Sequence, residues 1–126
     1  MIKITKLKPY MKDERGLAFD FGVRDSNHIV ALYRKKGSVS GLHYHKGESV
    51  SKSPEIFYVA KGKLKIIAKD VNTQKQETYI VQVHTVLEVP PMIYHEFHAL
   101  TDIVLIEFNC EKDHFKDTAK VLPNNS

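Results

Sequence analysis

Along most of this chain apolar and polar residues alternate one for one. "MIKITKL" sets Ile2 and Ile4 against lysines and Thr5, and "LAFDFGV", "IVALYRK", "ETYIVQV" and "DIVLIEFN" repeat the pattern. "EIFYVAKGKLKIIAK" reads as two strands turning at Lys61-Gly62-Lys63. "TVLEV" runs into Pro90-Pro91, which cannot lie mid-ladder, so "MIYHEFHAL" opens a fresh strand with His95 near its start. A period of two marks half-buried strands, and no segment keeps a helical period for about three turns. Roughly nine or ten short strands between Gly, Pro and polar turns predict an all-β, single-domain antiparallel sandwich or barrel. The barrel is expected over residues 1–110, with the polar stretch 111–126 as a C-terminal arm of the same domain.

At 126 residues the chain can bury one core, and 42% hydrophobic with 27% charged residues is the balance of a folded globule. The N-terminus has no apolar h-region and charges interrupt every hydrophobic run, so neither a signal peptide nor a membrane span is expected. The lone Cys110 cannot make an intrachain disulfide, which fits a cytoplasmic protein. The net charge of +4 is scattered and there is no Trp. That argues against a nucleic-acid stripe and leaves a mild attraction for anionic small molecules.

Residues i and i+2 of a strand point the same way, about 6.5 Å apart. His43 and His45 therefore share a face, and so do Glu55 and Phe57, and His95 and Phe97. Two imidazoles on one face, with a carboxylate and a third histidine from neighbouring strands, can hold one divalent ion. His28, His84, His98 and His114 read as ordinary satisfied polar side chains.

The spacing Gly37-x5-His43-x-His45-x9-Glu55-x6-Gly62 resembles the first motif of the cupin superfamily, and Pro90-x-Met92-x2-His95 resembles the second. The resemblance implies a jelly-roll barrel (a double-stranded β-helix) with His43, His45, Glu55 and His95 as metal ligands. Fe, Mn, Ni, Co and Zn all accept such a set. Two departures stand out: nine residues separate His45 from Glu55, a longer gap than the family usually has, and Met92 replaces a common Gly. The insertion offers Glu48 as a second carboxylate, although "EIFYV" to Gly62 keeps the family's spacing for Glu55.

Asp13-Glu14-Arg15-Gly16 and Gly41-Leu42-His43-Tyr44-His45-Lys46 further resemble the RmlC-like sugar-nucleotide branch, the 3,5-epimerases and 3,4-ketoisomerases. In that branch the first histidine is a base beside a keto group. This implies His43 as base, His45 assisting, and a tyrosine such as Tyr33 or Tyr44 as proton donor. Ser40 stands where the branch has Arg. Glu55 stands where the ketoisomerases, which work without metal, commonly have Gln.

Three readings follow. The first is a metal-dependent cupin enzyme, an isomerase, epimerase or dioxygenase, on a small sugar-like or keto-acid-like substrate. The second is a metal-independent sugar-nucleotide isomerase or epimerase using His43, and the third a non-catalytic binding module. The expected partners are a small molecule and a second copy in a homodimer, with "MIKITKL" pairing across it. "KGESVSKSP" is expected to be a flexible polar rim that closes over substrate.

Overall fold

The computed structural model describes residues 1–110 and 116–120; of the expected arm, 111–115 (with His114) and 121–126 lie outside them. The alternating segments form β1 (Lys3–Lys6), β2 (Met11–Asp13), β3 (Gly16–Ala18), β4 (His28–Arg34), β5 (Val39–Tyr44) and β6 (Glu55–Lys61). They continue as β7 (Lys63–Asp70), β8 (Gln76–Gln82), β9 (Thr85–Val89), β10 (Ile93–Ala99), β11 (Ile103–Asn109) and β12 (Ala119–Lys120). The described residues include one complete 3-10 turn, Val50–Lys52. No helix among them is long and apolar enough to cross a membrane.

Two five-stranded antiparallel sheets face each other, in the orders β1-β9-β6-β11-β4 and β12-β5-β10-β7-β8, with β2-β3 as a separate hairpin. Apart from the β7–β8 hairpin, the strands from β4 onward alternate between the two sheets, as in a jelly roll. β10 and β11 bury every second residue, which is the sequence alternation carried into space. The β6–β7 turn needs glycine at Gly62, whose φ of +86° is left-handed.

The inward positions divide the barrel lengthwise. Ala99, Phe97, Val59, Leu64, Ile66, Ile103 and Leu105 fill one end, each nearly inaccessible. Each such large side chain contributes roughly 1.5–3 kcal/mol by leaving water. Continuing inward along the same strands, β10 reaches His95, β6 reaches Glu55, and β11 reaches Glu107 and Asn109, all buried. Phe57 and Phe97, edge to face at 5.1 Å, separate the two ends.

One expectation changes. "LAFDFGV" forms a strand only through Ala18. Its aromatics instead lie over the outer face of the first sheet, Phe21 stacking on Tyr58 at 5.1 Å and Phe19 lying against His84 at 4.3 Å. Alternation there reflects rings covering a sheet. On one side β1 pairs with β9 of its own chain, Ile4 opposite Leu87, and its other side is the sheet's edge.

Candidate active site

The polar end of the barrel gathers His43, His45, Glu55 and His95, with one ligand atom of each within 4.8 Å of the others. Local backbone geometry aims the two β5 histidines. His95 pairs with His43 and Phe97 with Ser40, so three steps of β5 face two of β10. The extra residue is a bulge at Gly41 and Leu42, both with positive φ. Without it, strict alternation would send His43 and His45 out whenever Ser40 points in. A Cβ at Gly41 would meet the His95 carbonyl oxygen at 2.8 Å. Gly41→Ala is therefore expected to destabilise the fold by about 1–3 kcal/mol and to disturb both histidines. Chemical denaturation and the histidine NMR signals would report the two effects, and unchanged signals would contradict this reading of the bulge.

The ring nitrogens have defined roles. His45 Nδ1 faces the Asp117 carbonyl oxygen, and His95 Nδ1 lies 3.1 Å from the Ile93 carbonyl. A carbonyl only accepts, so both Nδ1 atoms carry the proton and each neutral ring presents a bare Nε2. Those Nε2 atoms lie 3.2 and 3.4 Å from Glu55 Oε1. Three acceptors thus converge with no donor between them, and neither His45 Nε2 nor Glu55 Oε1 has a hydrogen-bond partner among the described residues. Such a group needs a shared positive charge, either a proton on an imidazole or a metal cation.

The electrostatics follow from burial and this crowding. Burial, then the neighbouring His95, lowers the pKa of His43 to about 4, leaving a neutral ring at physiological pH. For His45 burial works against the charge, but the contact with Glu55 outweighs it and the pKa is raised. Burial would raise Glu55, yet its contacts with His45 and His95 hold it well below the usual carboxylate range.

Lys52 was not foreseen as part of the site. It is 2% exposed, donates from Nζ to Glu55 Oε2 at 3.0 Å, and also contacts Glu107 Oε2. Burial would lower its pKa, but the two carboxylates raise it. Glu107, buried first and then repelled by Glu55, is pushed up to about 7.

The 46–54 loop that brings Lys52 in is not the flexible rim expected from its composition. Asp117 accepts from the backbone N–H groups of Lys46, Gly47 and Ser49 at 2.9–3.0 Å. From the other side Arg24 donates to the carbonyls of Ser51 and Pro54 at 2.6 Å and of Phe108 at 3.0 Å. Ser51 is wholly buried. Polar composition was a poor guide because the loop's backbone groups find protein partners instead of water.

Among the other sequence candidates, Glu48 is exposed and Glu55 takes the place beside the histidines. Tyr33 is not brought to the cluster. It is 72% exposed on β4, an edge strand. Tyr44 alternates away from its histidine neighbours. Asp117 and Arg24 carried no local signal. Glu107 carried one, since alternation from Ile103 and Leu105 puts an acid inside the barrel, where a cation must answer it.

No family model and no curated protein matches the sequence. Solved structures match nearly the whole chain. A dTDP-4-dehydrorhamnose 3,5-epimerase from Sulfolobus tokodaii is 24% identical with a TM-score of 0.75, over 99% of this chain and 79% of its own. A sugar 3,4-ketoisomerase from Thermoanaerobacterium thermosaccharolyticum, solved with TDP, is 17% identical with a TM-score of 0.76, over 98% and 90%. A dTDP-6-deoxy-D-glucose-3,5-epimerase from Legionella pneumophila, solved with dTDP-4-keto-L-rhamnose, is 17% identical with a TM-score of 0.72, over 97% and 73%. Strand order, the polar barrel end and these likenesses agree: the chain has the RmlC-like cupin fold.

Proposed function

We propose that this chain is an isomerase or epimerase of a nucleotide-linked keto sugar, with His43 as the base that removes a proton beside the keto group. The observation that carries the reading is His43 itself. It is half-buried while His45, Glu55 and His95 are buried, and its ring is kept neutral. A neutral imidazole at the more accessible side of the polar barrel end can accept a carbon-bound proton. The electron pair left behind moves onto the keto oxygen to give an enediolate. A proton delivered to the opposite face of the same carbon epimerises it; returning the abstracted proton to the former keto carbon, while the neighbouring hydroxyl gives its proton to the former keto oxygen, moves the keto group. His45, whose proton affinity is raised, stands 4.7 Å from His43 between ring centres and can stabilise the developing charge. The epimerase and ketoisomerase likenesses favour this substrate class. The free edge of β1 is in keeping with a homodimer.

A second reading uses the same residues around a metal ion, and the three convergent acceptors favour it. His43, His45, Glu55 and His95 would hold the ion, which would act as a Lewis acid toward the substrate oxygens.

The test is hydrogen exchange in D₂O. Chelator-treated protein is incubated with TDP-4-keto-6-deoxyglucose, a ligand of a related ketoisomerase, and deuterium uptake next to the keto carbon is followed by NMR. Uptake supports the metal-independent reading. Uptake only after a divalent ion is restored supports the second. No uptake in either state would overturn both and leave a binding module.

A further inference from the structure

The group formed by Lys52, Glu107 and Asn109 plays no part in proton abstraction, yet it occupies the inside of the barrel next to the site. Lys52 Nζ lies 3.0 Å from Glu55 Oε2, against Glu107 Oε2, and 3.5 Å from Asn109 Oδ1. We propose that Lys52 is the specificity-determining residue that keeps the His43, His45, Glu55 and His95 cluster from binding divalent metal ions tightly.

The two oxygens of Glu55 face different ways. Oε1 faces the imidazoles and Oε2 holds the ammonium. An ion shared by the four side chains would sit across one carboxylate from a fixed positive charge. Repulsion scales with the product of the charges, so a dication meets twice what a single charge would meet. Water cannot screen it, because Lys52 and Glu55 are only 2% and 3% exposed. Nor can the ammonium swing out freely. Its loop is tied to Arg24 through the Ser51 and Pro54 carbonyls and to Asp117 through three backbone N–H groups. One oxygen of the carboxylate that would complete a metal site is thus already engaged by the chain's own cation, which it shares with Glu107.

This deepens the metal-independent reading of the site and rests on it, but its test does not use turnover. Protein stripped with chelator and dialysed is titrated with Co²⁺, following the visible absorption of the bound ion and confirming Kd by equilibrium dialysis. We expect weak binding by wild type and binding tighter by roughly 100-fold or more in Lys52→Met and Lys52→Gln, where the charge is gone. Lys52→Arg, which keeps the charge, should stay weak. The gain should vanish when His95→Ala is added to Lys52→Gln. Equal or weaker Co²⁺ binding in folded Lys52→Met and Lys52→Gln would overturn the proposal. So would a wild-type Kd tighter than about 1 μM, a measurement that needs no variant. Absence of deuterium uptake with tight binding confined to the Lys52 variants would instead sink the keto-sugar reading and leave the role of Lys52 standing.

Discussion

Replacing His43 with Asn is expected to slow deuterium uptake beside the keto group by about 10²–10⁴-fold, the usual contribution of a positioned base. Substrate affinity should change little, because Asn keeps a polar side chain of similar reach and leaves His45, Glu55 and His95 in place. The loss should fall on kcat. The pH dependence separates a base from a structural histidine. Burial and His95 place the His43 pKa at about 4, and only the neutral ring accepts a proton. The competent fraction is therefore nearly complete at neutral pH and falls as pH drops toward that value. Wild-type kcat/KM should lose activity on the acid side over this range, and the residual rate of His43→Asn should lack that limb. Circular dichroism at each pH would exclude unfolding as the cause. An unchanged rate in His43→Asn would remove His43 from the chemistry.

The largest stability effect is expected at Lys52. Lys52→Ala should cost about 3–5 kcal/mol in urea unfolding with an unchanged m-value, because it leaves buried carboxylates without their cation. Lys52→Met should lose less, since its side chain fills the vacated space. Arg15–Asp13, an ion pair at the tip of the exposed β2–β3 hairpin, makes a contrast. Water screens that pair, so its removal should not register. The Glu55 carboxylate of this cluster also has a pH signature. Burial would raise Glu55, but its histidine contacts win and the folded pKa lies well below the ordinary carboxylate value of 4.5. Stabilisation through Glu55 is then present above that value and is lost as pH falls through the folded one. A Lys52→Ala protein as stable as wild type at neutral pH would refute this account of the buried pair.

How much of this could be read from the sequence depended on the range of the interaction concerned. Period-two alternation in "MIYHEFHAL" and "DIVLIEFN" encodes which face of each strand is buried, because the pleat makes that a property of neighbouring residues. The breaks at Gly62 and Pro90-Pro91 are likewise local. His43, His45, Glu55 and His95 were legible because their spacing matches a family pattern, and they do converge. What that pattern did not say is how His43 and His45 come to face inward while Ser40, opposite Phe97, does as well. The Gly41–Leu42 bulge resolves this, and the only hint of it was a glycine inside a strand-like run.

By itself, then, the sequence determined the all-β class, the strands, the apolar interior and the identity of four converging side chains. These follow from periodicity and from motif spacing. Only the tertiary structure decided that "KGESVSKSP" is pinned and that Lys52 is turned inward, that Tyr33 lies outside, and that Asp117 holds both His45 and the loop. Lys52 meets Glu107 across 55 positions, and His45 meets Asp117 across 72. A charge in a polar loop looks solvated until the fold surrounds it with carboxylates. The environment that makes Lys52 part of the site is therefore a property of the closed barrel, absent from any local stretch of the chain.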